Sequence, residues 1–541
     1  MSIPSTEVAW EEAMATPDYW ADPPMDRYRT RVYSPTLDSL ISDRDPVRFV
    51  DEVLSGLDWS EWEAHYERKV GQPPIHPRIV AAAILYGMYR GIRSSRKLEE
   101  ACNYRFDFIW LVEGRRIDHT TFSKFRTKFH EPLKSLFRQI GRTAMVMGLI
   151  QLGVVAFDGT RVKANNSRYK TRTAKTLEEK LGALDELFEQ LTAELNTADT
   201  QQAAEGSPTK LPEPLADLQQ RRERIREALE QAKAADEARR QQGVDPKKNP
   251  AQVPTTDPDC HVMPNKEGGF APNYTPVATT DATCGFIVDG DVLAEINEGG
   301  AAAVSVDRIE ETFGRKPEKF LTDGGNNSGQ IIEQMETRGV EFYAPVESSQ
   351  PQEGNPAKRA DPTQPVPESE WPKLKRNSSG QLDKSNFVYV PEEDRYYCPM
   401  GHPMPLETTK PERRGGVRVS KRVHRCRDCL GCPLATSCLS AKSKHGRTIT
   451  RDRHEPARER TARRMASESG RKIYNQRPRI AETTFGIVKS VMGLRQFLLR
   501  GLAKVKTEWL WAVTAFNLVK LARQIAILRA DSSLVAAGSG G

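Results

Sequence analysis

Long apolar runs are missing from this sequence. Only 38% of the 541 residues are hydrophobic, and no stretch reads as long enough to span a bilayer, so no membrane partner is expected. The opening MSIPSTEVAWEEAMATPDYW has neither a basic n-region nor an apolar core, which speaks against a secretory signal and for the cytoplasm. Cysteine is sparse as well. There are eight, and Cys102, Cys260 and Cys284 stand alone and read as core or incidental residues. Acids are sparse in one place. Between Lys410 and Arg479 there are 21 Lys and Arg against six Asp and Glu, whereas the rest of the chain carries 59 against 67. Such a block is an electrostatic footprint for a polyanion. A solvated charged face is the blander explanation, but so few acids make a poor mixed surface, and nucleic acid is the favoured partner.

The other five cysteines cluster. CRDCLGCPLATSC sets Cys426, Cys429, Cys432 and Cys438 at C-x2-C-x2-C-x5-C, and Cys398 lies upstream in YYCPMGHP. In a cytosolic chain this spacing favours thiolate ligation over disulfides. Four thiolates suit a closed, tetrahedral structural Zn2+, with an iron–sulfur cluster as the rival and free thiols as the blandest outcome. Five cysteines and His402 exceed four ligands. The expected set is Cys398, Cys429, Cys432 and Cys438, with Cys426 as a substitute. The surrounding insert is rich in Pro, Arg and Gly, so it is expected to lack a core of its own and to need a metal to fold.

Periodicity divides the chain. Residues 1–45 read as an irregular arm, and 46–150 as a helical, DNA-binding domain with a helix-turn-helix-like middle. Residues 151–346 change character. LGVVAFDGTRVKA, APNYTPVATTD and GFIVDGDVLAEIN read as strands, AVSVDRIEETFG as a helix capped by Gly314, EKFLTDGG as a strand, QIIEQMETRG as a helix and VEFYAPV as a strand, which together predict a mixed α/β sheet. Within it, residues 175–245 carry two heptad seams, from Leu177 to Leu195 and from Leu215 to Ala232, read as an antiparallel helical hairpin. A basic, cysteine-rich insertion follows at 347–461, then helices at 462–530 and a flexible tail at 531–541.

Three acids stand where that pattern turns. Asp158 and Asp323 each end a predicted strand, and Glu482 lies on a helix after the sheet, among Arg477, Arg479 and Lys489. Strand ends beside a covering helix are where open α/β sheets bind ligands. Carboxylates gathered there repel one another unless a divalent cation neutralises them, and all-oxygen ligation suits Mg2+ or Mn2+. Two such ions on a phosphodiester activate the attacking oxygen and stabilise the leaving one, while the cations hold phosphates. Alone, each acid has a blander role: a turn aspartate before glycine, or a helix N-terminal glutamate.

With these residues in view, the chain resembles the DDE-type transposases of bacterial insertion sequences. FDGTRVKANNS is similar to the family's first-aspartate motif, LTDGGNNSG to its second, and YNQRPRIAETTFGIVK to its Tyr-Arg-Glu-Lys signature. GIRSSRKLEEACNYRFDFIWL with DHTTFSKFR resembles the N-terminal helical domain, and the cysteine cluster the insert of a subset of these enzymes. The resemblance implies an RNase H-like catalytic domain, Asp158, Asp323 and Glu482 as catalytic metal ligands for two Mg2+ or Mn2+ ions, and Tyr474, Arg477 and Lys489 as DNA-handling residues, joined by Arg479, Arg161 and Lys163. It implies strand cleavage and transfer on double-stranded DNA, a homo-oligomer of at least two copies, and a nucleoid-associated place in the cytoplasm. One departure stands out: four residues separate Arg477 from Glu482, where the commonest signature has three. A transposase-derived DNA-binding protein without chemistry, or a nuclease that hydrolyses without joining, are the alternative functions.

Overall fold

A computed structural model describes residues 36–66, 73–167, 170–199, 213–241, 243–265, 268–295, 298–347, 349–414, 417–440, 443 and 445–538. Most of the arm expected at 1–45 therefore lies outside the described residues. The first helices are α1 (Pro46–Ser55), α2 (Ser60–Glu63), α3 (Pro77–Tyr89), α4 (Ser95–Tyr104), α5 (Phe106–Leu111), α6 (His119–Lys128) and α7 (His130–Val146). Their starts are written locally. The Asp45 side chain accepts from the Val47 amide ahead of Pro46, and Asp118 accepts from the Thr120 amide at α6.

The sheet comes next. It is built from β1 (Val154–Gly159) and β2 (Val162–Lys163), with β3 (Thr171–Arg172) leading into the hairpin α8 (Ala174–Asp199) and α9 (Glu213–Gln241). β4 (Val253–Pro254) pairs with β3 apart from the main sheet, which continues through β5 (His261–Pro264), β6 (Phe270–Asp281), β7 (Ile287–Leu293), β8 (Lys319–Leu321) and β9 (Glu341–Tyr343), with α10 (Ala301–Phe313) and α11 (Gly329–Thr337) between strands. The order is β2-β6-β1-β8-β9, with β5 and β7 also on β6. β1 runs antiparallel to β6 and parallel to β8, so the sheet is mixed, as the strand and helix periodicities predict. Gly314 ends α10 at φ 72, a left-handed position that favours glycine.

α8 and α9 pair antiparallel. Lys233 meets Glu178 at 2.7 Å near one end, Arg222 meets Asp185 further along, and Leu177, Leu229 and Ala232 are buried between them. The outer seam residues Leu195 and Leu215 lie outside the described side chains.

The insertion holds β10 (Val388–Val390), β11 (Arg395–Tyr397), β12 (Pro403–Met404), β13 (Leu406–Arg414), β14 (Val417–Arg425), α12 (Ala435–Cys438) and β15 (Thr448–Asp452). Here the structure corrects the expectation of a coreless segment. Val366, Leu374, Leu382, Phe387, Tyr396, Met404 and Ile449 bury together with Cys398, Cys426 and Cys438. These apolar residues are too widely spaced to show a period, and two small sheets gather them. Arg447 ties the layers, donating to the carbonyls of Leu382 at 2.8 Å and Cys438 at 3.0 Å.

Four helices close the chain: α13 (Glu455–Ala466), α14 (Glu468–Tyr474), α15 (Arg477–Ser490) and α16 (Leu502–Gly538). α16 packs on α1, α3 and α7 and also on β7, so the helical domain and the sheet share one core. Trp62 and Trp511 meet there with ring centroids 6.0 Å apart. Leu502–Arg529 is long and apolar enough to cross a membrane by length and composition, contrary to the reading of the sequence; 67% of its most apolar window is buried inside the protein, and it is a core helix. The junction also contains one buried ion pair. Arg93 donates to Glu508 at 2.5 Å and to the carbonyls of Gly493 and Gln496, while Glu508 accepts from the amides of Leu498 and Leu499.

Removing one partner of a buried pair leaves an uncompensated charge. Glu508→Ala should therefore destabilise the protein by about 3–5 kcal/mol, read as a lower denaturation midpoint in urea. The exposed pair Arg240–Glu237 should yield no more than about 0.5 kcal/mol on the same measurement.

Candidate active site

Strand register builds this site. Val154 pairs with Lys319 and Ala156 with Leu321 across the parallel β1–β8 ladder. Asp158 and Asp323 each lie two residues further on, so they sit at the same level at the ends of adjacent strands. Neighbouring strands are about 4.8 Å apart, which makes the two carboxylates near neighbours. With a side-chain period of two, Asp158 shares a face with Ala156, and Asp323 with Leu321. Ala156 and Leu321 are buried against Ile480 and Ala481 of α15, so α15 covers the face from which both aspartates project.

The two aspartates differ in local role. Asp158 is paired within β1, opposite Ala278 of β6. Asp323 follows β8 and caps a short 3-10 turn, accepting from the Gly325 amide at 3.0 Å and the Asn326 side chain at 3.3 Å. Arg477, in the first turn of α15, reaches Asp158 at 3.0 Å, and both side chains are largely buried. Tyr474 is close enough to feel Arg477 and both aspartates; burial is the main reason its hydroxyl is pushed above the ordinary tyrosine value.

Lys489, at the other end of α15, donates to the Thr160 hydroxyl at 2.5 Å and the Arg161 carbonyl at 3.0 Å. It anchors the chain just past Asp158. Glu482 lies between these two cations in sequence but is exposed, and its side chain makes no hydrogen bond or ion pair within the described residues. Phe485, three residues on, is buried and stacked 6.2 Å from Trp509.

A fourth acid enters the cluster. Glu298, in the segment between β7 and α10, lies beside Gly159, and its nearest cation is Arg161 at 3.6 Å. Burial, then the charges of Asp158 and Asp323, push its carboxyl up to about 7. No sequence signal marks it, since it falls in neither a motif nor a periodic segment. Asp158, Asp323 and Glu298 offer only oxygen donors, the donor type that a hard divalent cation takes. Their oxygens do not all lie within 4.8 Å of one another. Among the described residues that spacing is met by Glu99, Asp118 and His119 in the helical domain, where Asp118 is already a helix cap and His119 contacts Glu99 at 2.9 Å.

The remaining sequence-predicted residues fall into two groups. Arg161 donates to Thr275 and faces Glu298, and Lys163 is exposed on β2. Arg479 is exposed with Arg463, Arg471 and Lys472 on α13, α14 and α15, and none of the four makes an ion pair among the described residues. Many other cations of the basic stretch are matched internally, as Arg451 is to Glu459, Arg458 to Asp452 and Arg460 to Glu336.

All five clustered cysteines line one cavity of about 20 Å³. Cys398 and Cys426 share a hydrogen bond between their thiols, which lowers the first and raises the second. The Arg447 amide points at the Cys429 sulfur, 3.5 Å away. Gly446, at φ 87, lets this strand approach, since any side chain there would collide with the Cys426 carbonyl. His402 does not line the cavity, and its ring faces Asp428 at 3.5 Å. No three of the sulfurs lie within 4.8 Å of one another.

Comparison with known proteins gives two family matches. Residues 35–128 match a family described as Transposase domain (DUF772), and residues 397–522 match one described as Transposase DDE domain. The second match includes the cysteines and Glu482; Asp158 and Asp323 precede it. No curated protein and no solved structure matches the chain. A transposase domain in the N-terminal helices and a transposase DDE domain toward the C-terminus together support a DDE-type insertion-sequence transposase.

Proposed function

We propose that this transposase binds the terminal repeats of its element and cleaves and joins DNA strands, using Asp158, Asp323 and Glu482 in an RNase H-like sheet. The observation that carries the reading is the β1–β8 register, which supports two aspartates side by side under a helix that brings Arg477 to one of them. Asp158 and Asp323, with Glu482 from α15, would hold Mg2+ or Mn2+, two ions in the full reaction. Bound there, the metal would activate the attacking water or 3′-hydroxyl and stabilise the leaving oxygen. The protein's own groups do the positioning. Arg477 orients Asp158, and Lys489 fixes the chain beyond it. The exposed Arg463, Arg471, Lys472 and Arg479 supply a phosphate-binding face beside Tyr474. Joining two element ends calls for at least two copies on DNA. The site works on DNA in the cytoplasm, at the nucleoid.

Incubation with duplexes carrying the element's ends and Mg2+ should give cleavage and strand transfer. Asp158→Asn, Asp323→Asn and Glu482→Gln should each lower both by at least about 100-fold, the scale of losing preorganised electrostatic stabilisation, while DNA retention in a gel shift persists. A variant that still cuts at the wild-type rate removes that residue from the reaction, and cleavage without joining reassigns the protein as a nuclease.

Neutralising Arg463, Arg471, Lys472 and Arg479 together should flatten the dependence of log affinity on log salt by about 0.9 for each phosphate released. An unchanged slope would move the DNA face elsewhere on the protein.

The cysteine cavity should hold one structural Zn2+ per chain, seen by elemental analysis of protein purified without chelator. Because Cys426 lies against Cys398, Cys426→Ser should lower the zinc content as much as Cys398→Ser does. Iron in place of zinc would identify a cluster, and neither metal would leave the thiols free.

A further inference from the structure

Arg479 on α15 and Lys520 on α16 line one cavity of about 230 Å³, closed on its third side by the turn from Asp281 to Gly285 between β6 and β7. Neither cation makes an ion pair among the described residues. Thr283 and Thr483 bring hydroxyls to the same cavity, and both are exposed. The space equals that of about seven waters, enough for a phosphate group with part of its hydration.

Lys520 is no solvated surface lysine. It is half-buried, its ammonium lies 5.6 Å from the ring centre of Phe516 and 5.9 Å from that of Phe286, and burial holds it below the ordinary lysine value. Its hydrogen bond among the described residues goes to the Cys284 carbonyl at 2.5 Å, which uses one of its three donors. Gly285 keeps the approach open. It turns the chain at φ 70, and a Cβ there would come within 3.1 Å of the ammonium. Asp281 is the acid in the lining, and it is committed elsewhere: its carboxylate accepts from the amides of Leu152 and Thr283 at 2.8 Å each and pairs with neither cation. Two cations from different helices, with hydroxyls beside them and the acid held by amides, are the donors that a phosphate group takes. The place also suits DNA held at the aspartates. Asp281 stands three residues along β6 from Ala278, the strand partner of Asp158, so it lies about 10 Å further along the sheet.

We propose that Arg479 and Lys520 together bind one backbone phosphate of the DNA in this cavity. The inference rests on the reading that the chain holds DNA along α15, and goes beyond it by adding a contact from α16 on the flank of that helix. Arg479 supplies the exposed half of the grip and Lys520 the half-buried one.

The test is binding of a fluorescein-labelled DNA duplex to the full-length protein, followed by anisotropy across a series of KCl concentrations. Lys520→Gln should lower the slope of log affinity against log salt by about 0.9, the share of one phosphate contact, and Lys520→Arg, which keeps the charge, should hold the wild-type slope. Lys520→Met keeps an apolar stem on the two rings and should match Lys520→Gln, so a packing defect in the glutamine variant does not decide the outcome. Arg479→Gln reports on the underlying reading and should also lower the slope. An unchanged slope in both Lys520→Gln and Lys520→Met, with Arg479→Gln impaired, overturns the proposal and leaves the reading intact. Unchanged slopes in all three variants take the DNA off α15, and reading and proposal fall together. Inorganic phosphate titrated calorimetrically without DNA separates the other source of the same chemistry. Tight, saturable phosphate binding that Lys520→Gln abolishes, with the DNA slope unchanged, assigns the cavity to a free phosphate and overturns the proposal as well.

Discussion

Everything about the site depends on the parallel pairing of β1 with β8. That register brings Asp158 and Asp323 to the same level on adjacent strands, and it forces like charges into proximity. Charges this close and partly buried interact strongly, because little water remains to screen them. The fold answers with cations carried on other elements. Arg477 comes from the first turn of α15, Arg161 from just beyond β1, and Lys489 fastens that same stretch from the far end of the helix. α15 can do this because Ile480 and Ala481 seat it on Ala156 and Leu321, the residues that precede the two aspartates on their strands. Packing and electrostatics are thus set by the same few positions.

Holding that register against repulsion needs a rigid support, and α16 provides it. It lies against the helical domain on one side and β7 on the other, so the N-terminal helices and the sheet are halves of one packed body. Glu508 is the polar counterpart of this arrangement. Its carboxylate accepts from Arg93 and from two amides after α15, linking the helical domain to the segment that follows that helix. A core helix asked to face apolar neighbours on several sides becomes hydrophobic nearly all round, which is why α16 imitates a membrane span in composition.

Much of this was legible in the sequence, and what was not has physical reasons. The alternating strands and helices of 151–346 were readable because β-branched runs and Gly-punctuated turns are local signals, and β1, β6, β7, α10, β8, α11 and β9 lie where those signals fall. Asp158 and Asp323 could be singled out because each ends such a run. Glu298 could not. It belongs to an aperiodic stretch, and only the tertiary fold carries it to Gly159. The insertion's core was hidden for a related reason: Val366, Phe387, Tyr396 and Ile449 are far apart in the chain and meet only through strand pairing. Glu482 shows the reverse case, in which a motif names a residue whose side chain the fold leaves exposed and without a hydrogen bond or ion pair among the described residues.

Charge composition alone also overstates what the basic stretch offers to DNA. Counted along the chain, Lys410 to Arg479 is a heavy excess of cations. Folded, many of them are consumed by acids that lie elsewhere in sequence, such as Asp394 for Arg422, Glu407 for Arg425 and Glu336 for Arg460. Those pairs organise the small sheets and dock α13 on α11, and a cation so committed contributes less to a phosphate. Among the described residues, Arg463, Arg471, Lys472 and Arg479 stay exposed and without an ion pair on α13, α14 and the start of α15, the helices that also carry Tyr474 and Arg477. Among the described residues, one group of unmatched cations thus lies on a short helical face, and Arg477 joins that face to Asp158. On the proposed reading, unmatched cations beside crowded carboxylates would hold a polyanion where the acids, once neutralised by metal, could act on it.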